Sequence, residues 1–81
     1  MALSISTALL DAIREEARAA GARECCGLLM TNGTGEVTSL VRADNVSPTP
    51  EHRFEIDPAI LLRAYRAARS GGPAIIGHYH S

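Results

Sequence analysis

Two imidazoles and a hydroxyl end this chain: Gly77-His78-Tyr79-His80-Ser81 follows the apolar run Pro73-Ala74-Ile75-Ile76. Side chains alternate along a strand, so in a strand His78 and His80 would share one face. Imidazoles at that spacing suit acid/base work or metal ligation, neutral imidazole being a common zinc ligand. A carboxylate, Glu24, heads a second apolar run, Cys25-Cys26-Gly27-Leu28-Leu29-Met30. A carboxylate at the head of one strand and imidazoles at the tail of another would make half of a metal-hydrolase site. Each group also has a plainer reading. Glu24 is either a solvated strand-end residue or a positioned general base, and His78 and His80 are either ligands or satisfied strand-end histidines. His52, after a proline loop, reads as a surface histidine. Cys25 and Cys26 are adjacent, so in a strand they point to opposite faces and do not easily meet one ion. Without a C-x-x-C spacing they read as core filling. Capping accounts for Asp57, packing for Phe54 and Tyr65, and a solvated helix face for Glu15 and Glu16. Gly71-Gly72 follows a helix, where a phosphate cradle would have to precede one.

The elements that must carry these groups follow from periodicity. Residues 4–20 predict an amphipathic helix, with Leu9, Leu10, Ile13, Ala17 and Ala20 at three- and four-residue spacing. Ser4, Ser6 and Thr7 offer N-caps, and Gly21 suits the stop. Residues 24–30 predict a buried strand, and Asn32-Gly33 predicts a type I′ hairpin turn into a return strand over 36–43. Residues 44–51, with two prolines and no periodicity, predict a loop. Residues 52–56 alternate Arg53 and Glu55 with Phe54 and Ile56, the pattern of a half-buried strand. Asp57-Pro58 is an N-cap followed by a proline at the first helical position, and Ile60, Leu61, Ala64, Tyr65 and Ala68 form that helix's apolar stripe. Residues 74–79 predict another buried strand. Strand, helix and strand in that order predict a right-handed crossover with the two strands parallel.

The totals bound the rest. Eighty-one residues make at most one domain, and a chain this short buries only about 60% of its unfolded surface. Hydrophobic residues at 46% with charged residues at 21% describe a soluble globular chain. A formal net charge of −1 gives no global drive toward nucleic acid or membrane. All eight basic residues are arginines, scattered without the stripe that a nucleic-acid surface needs. No apolar run approaches the ~20 residues of a membrane span. With no targeting segment in view, the expected compartment is the cytoplasm, and free adjacent cysteines fit its reducing conditions.

Four pieces in order carry a family resemblance: Glu24-Cys25-Cys26-Gly27-Leu28-Leu29, the Asn45 loop, Phe54-Glu55-Ile56-Asp57-Pro58, and Gly77-His78-Tyr79-His80-Ser81. Together they resemble the JAMM (Mov34/MPN/JAB) zinc metallopeptidases, the small bacterial stand-alone type. The resemblance implies an α/β fold, a mixed curved sheet flanked by two helices, present here as one incomplete domain over 1–81 without its C-terminal elements. In the family register Glu24 is the general acid/base, His80 the first zinc ligand and Ser81 the middle residue of H-S-H. That register puts His78 at a variable position, against the spacing argument, and the register takes precedence. The family's second histidine, oxyanion serine and aspartate would follow Ser81, so the 81 residues alone are expected to be inactive. The implied activity is Zn2+-dependent hydrolysis of amide or isopeptide bonds at the C-terminus of ubiquitin-like proteins, sulfur carriers included. The alternatives are a non-catalytic MPN-type binding or assembly module, an inactive fragment, or thiol redox chemistry at Cys25-Cys26. An open edge along residues 74–79 would favour a homo-oligomer.

Overall fold

The computed structural model describes residues 3–81, which form the order α1 (Thr7–Ala20), β1 (Cys26–Thr31), β2 (Val37–Ala43), α2 (Pro58–Arg69) and β3 (Ala74–His80). Both helices start where side-chain caps allow. Ser6, of the three candidate caps, accepts the Leu9 N–H on its Oγ at 3.2 Å. Asp57 accepts the Ala59 N–H at 3.0 Å, and Pro58 occupies the first turn. Ser4 has another use: it forms an isolated parallel bridge to Glu36, with the Val37 N–H donating to its carbonyl at 2.8 Å.

The three strands form one sheet in the order β2-β1-β3, antiparallel at both seams. This corrects two expectations. Residues 52–56 form no strand, contributing only the Asn45–Ile56 bridge. The expected parallel crossover is therefore absent, and β3 returns antiparallel against β1. The physical reason lies in Asn45, whose side-chain oxygen accepts the Glu55 N–H at 3.1 Å and whose amide donates to the Arg53 carbonyl at 2.9 Å. Backbone groups that a ladder would need are spent on one side chain. The hairpin differs too. Among the described residues no non-glycine residue has positive φ, so Asn32 does not enter a type I′ turn. Gly33 and Gly35, at φ +100° and +77°, make the reversal across a longer loop.

The core lies between the sheet and α2. Leu28 and Met30, 1% and 4% exposed, pack with Ala64, and Val41, Ile56, Ile60, Leu61 and Ile75 close around them. Tyr65, expected in the stripe, is 56% exposed. The opposite face of the sheet meets α1. Gly27 pairs with Tyr79 across the β1–β3 seam, and a Cβ at Gly27 would overlap the Tyr79 ring. That ring passes over the bare glycine so that its hydroxyl donates to Glu16 Oε2 at 2.6 Å. The Glu16 side chain is only 9% exposed and lies 3.6 Å from the Arg42 guanidinium, which corrects its placement on a solvated face.

Candidate functional site

The end of β3 and the entrance to β1 lie side by side. Cys26 pairs with His80 and Leu28 with His78, so the two histidines share a face, as their alternate spacing requires. Beyond the last pair, Ser81 continues the ladder: its N–H donates to the Cys25 carbonyl at 3.1 Å, and its Oγ accepts the Cys25 N–H at 2.9 Å. This closure brings Glu24 Oε1 to 3.6 Å from His80 Nδ1. The same Nδ1 lies 3.2 Å from the Ser81 carbonyl. The Glu24 side chain is 21% exposed and that of His80 48%, so the pair is open to solvent on one side.

Glu24 is held by its backbone. Its N–H donates to the Pro50 carbonyl at 2.7 Å and its carbonyl accepts from Asn45 Nδ2 at 2.8 Å. Facing it, Phe54 stacks on His80, ring centroids 4.2 Å apart and planes within 14°. His78, on the same face, tilts against Phe54 at 5.8 Å and 36° and pairs with Leu28. Glu24, His52, Arg53, Phe54 and His80 line a shallow depression of about 320 Å3. The structure thus brings together Glu24 and His80 and adds His52, read from the sequence as a surface histidine, and Phe54, which it assigned to packing. The alternation over 52–56 marks Phe54 only as an inward-facing strand position, and no spacing signal marks His52; both sit in irregular backbone. A larger cleft of about 530 Å3 opens on the α1 side of Glu24, lined also by Glu16, Cys25 and Arg42. Its polar walls mix both signs of charge, without the imidazole that proton transfer next to Glu24 would use.

The two cysteines are buried and unbridged. Cys26 Sγ faces the Ala43 and Asp44 carbonyls at 3.7 and 3.8 Å. Burial first, then the neighbouring Cys25 and Glu16, pushes its pKa up. A thiol kept protonated and out of solvent is a core group and not a nucleophile.

Zinc takes three protein ligands in catalytic sites and four in structural ones. Among the described residues no group of three or more His, Cys, Asp and Glu side chains could hold a metal ion. Glu24 and His80 have suitable oxygen and nitrogen donors, but two groups do not by themselves amount to a zinc site.

Comparison with known proteins bears on the family and the fold. No curated protein matches the chain. Among solved structures, the chain is similar to the solution structure of protein DSY2949 from Desulfitobacterium hafniense, with a TM-score of 0.78 and 26% identity. That match covers 96% of this chain and 55% of the other, so the chain spans little more than half the length of this relative. The family described as prokaryotic homologs of the JAB domain matches residues 6–81. With the match running through both helices and all three strands, the chain belongs to the prokaryotic JAB-domain family.

Proposed function

We propose that the chain is the N-terminal part of a zinc-dependent metallopeptidase or isopeptidase. Its substrates on this reading are amide or isopeptide bonds at the C-terminus of ubiquitin-like proteins, sulfur carriers among them, in the cytoplasm. The observation that carries the reading is the approach of Glu24 Oε1 and His80 Nδ1 to 3.6 Å within a JAB-domain match over residues 6–81. The proposal gives this chain one base and one ligand, and assigns the other ligands to residues outside these 81. Bound zinc would supply Lewis acidity toward water and the scissile carbonyl. Glu24 accepts a proton from the attacking water and returns it to the leaving amine. His80 places Nδ1 within 3.6 Å of Glu24 Oε1 and 3.2 Å of the Ser81 carbonyl, partners of the kind that orient a ligating imidazole.

The test uses a form of the domain that contains the remaining ligands. Glu24→Gln should retain zinc and lose hydrolysis by about 10²- to 10⁴-fold, the usual scale of general acid–base catalysis. Equal turnover by that variant would exclude Glu24 as the base, and unchanged zinc affinity in His80→Ala would exclude His80 as a ligand. The alternative reading is a non-catalytic binding or assembly module. Zinc stoichiometry separates the two, since the module needs none. Among the described residues no helix is long and apolar enough to cross a membrane. The outer edge of β3 is open in the three-stranded sheet, and association of two copies along it is part of the proposal. Sedimentation at micromolar concentration showing a stable folded monomer would remove that part.

A further inference from the structure

We propose that Phe54 is the positioning residue of His80, and that the Asn45 amide clamps Phe54 and Glu24 into a common frame. The functional meaning rests on the roles given above to Glu24 and His80; the physical contact does not. Phe54 lies outside every helix and strand, yet its ring is nearly parallel to the His80 imidazole at 4.2 Å. Irregular backbone does not hold a side chain that well without help. The help is one amide: Asn45 Nδ2 donates to the Arg53 carbonyl at 2.9 Å and Oδ1 accepts the Glu55 N–H at 3.1 Å, on the two sides of Phe54. The same Nδ2 donates to the Glu24 carbonyl at 2.8 Å. Carbonyls on one end and N–H groups on the other fix which way the amide points.

His80 needs this restraint. It ends an edge strand with its side chain 48% exposed, and the terminal torsion of a histidine is broad and roughly two-fold. Stacked aromatic pairs prefer offset, near-parallel rings, so a fixed Phe54 limits rotation of the imidazole about that torsion. Nδ1 then stays on the side of Glu24 and the Ser81 carbonyl. Loss of the ring would free His80 without removing either polar partner, and a misplacement of about 1 Å at a reacting group can cost on the order of 100-fold in rate.

The experiment compares Phe54→Leu, which keeps apolar bulk, with Phe54→Tyr, which keeps the ring. Proton NMR of the His80 ring is read first, in the chain without metal. The expected result is an upfield ring-current shift of the His80 ring protons, lost in Phe54→Leu, retained in Phe54→Tyr, and weakened in Asn45→Ala. The backbone amide spectrum of the sheet should stay in place in both Phe54 variants. Should Phe54→Leu unfold, cross-relaxation between the Phe54 and His80 rings in the unsubstituted chain decides: its absence overturns the proposal. In the form that hydrolyses substrate, Phe54→Leu should lower kcat by about 10- to 100-fold with KM little changed, and Phe54→Tyr should restore it. Ring signals lost with kcat unchanged would overturn the positioning role. Stacking intact in a protein with neither zinc nor hydrolysis would overturn the enzyme reading, and with it any role for Phe54 beyond packing.

Discussion

The two faces of the sheet are held by different forces. Toward α2, β1 presents Leu28 and Met30, which pack on Ala64 and its apolar neighbours. Toward α1, the same strand presents Gly27, and the space above it is filled by a tyrosine ring reaching for a carboxylate. Helix α1 has no fully buried residue, and its inward face carries Glu16 among Leu9, Ile13, Ala17 and Ala20, all half-buried. Apolar burial is non-directional and insensitive to pH. A phenol-to-carboxylate hydrogen bond is directional, and its strength depends on who holds the proton. One face should therefore respond to cavities and the other to protonation.

The largest expected effect is on the apolar face. Leu28→Ala should cost about 2–5 kcal/mol, the range for a buried leucine, against a total of roughly 5–15 kcal/mol for small domains. Urea unfolding measures it, and a loss below 1 kcal/mol would mean that the α2 face is not the main source of stability. Gly27→Ala comes next. The added methyl overlaps the Tyr79 ring, so the ring must shift and its bond to Glu16 must break, at about 1–3 kcal/mol, as for other overpacked sites. In a Tyr79→Leu background most of that cost should vanish; a fully additive double mutant would deny the contact.

Tyr79→Phe should cost about 1.5–3 kcal/mol, the range for hydrogen bonds to charged groups. It also carries the pH signature of this face. Burial, then the bond to Glu16, raises the Tyr79 pKa above its ordinary value of 10.0. A raised folded-state pKa means that the stabilisation is complete below the unfolded value and is lost as pH climbs through and past it. Stability should thus decline in alkali above about pH 10, and Tyr79→Phe should flatten that decline while Leu28→Ala leaves its shape alone. Unfolding midpoints from pH 8 to 11 distinguish the two. The smallest effect belongs to the ion pair on the same face. The Arg42 side chain is 76% exposed, so Arg42→Ala should cost no more than about 1 kcal/mol, the range for exposed pairs. A cost equal to that of Tyr79→Phe would shift the weight of this face from the hydrogen bond to the ion pair.

What the sequence by itself determined is local. Ser6, the Asp57-Pro58 pair and the apolar runs set both helices and three strands, because caps and periodicity act within a turn or two of chain. The alternation of His78 and His80 determined that they share a face, and Glu24 stood out as a carboxylate at a strand entrance. The family pieces added the register, which depends on order along the chain. Tertiary structure decided everything that needed a distant partner. Residues 52–56 alternate like a strand, yet the Asn45 side chain takes the backbone groups that a ladder would use. Glu16 looks like any surface glutamate until Tyr79, 63 residues further on, donates to it. Phe54 and His80 are ordinary neighbours of nothing in sequence and meet only because β3 returns antiparallel to β1. Strand direction is set by where the chain re-enters the sheet, and no local propensity encodes that.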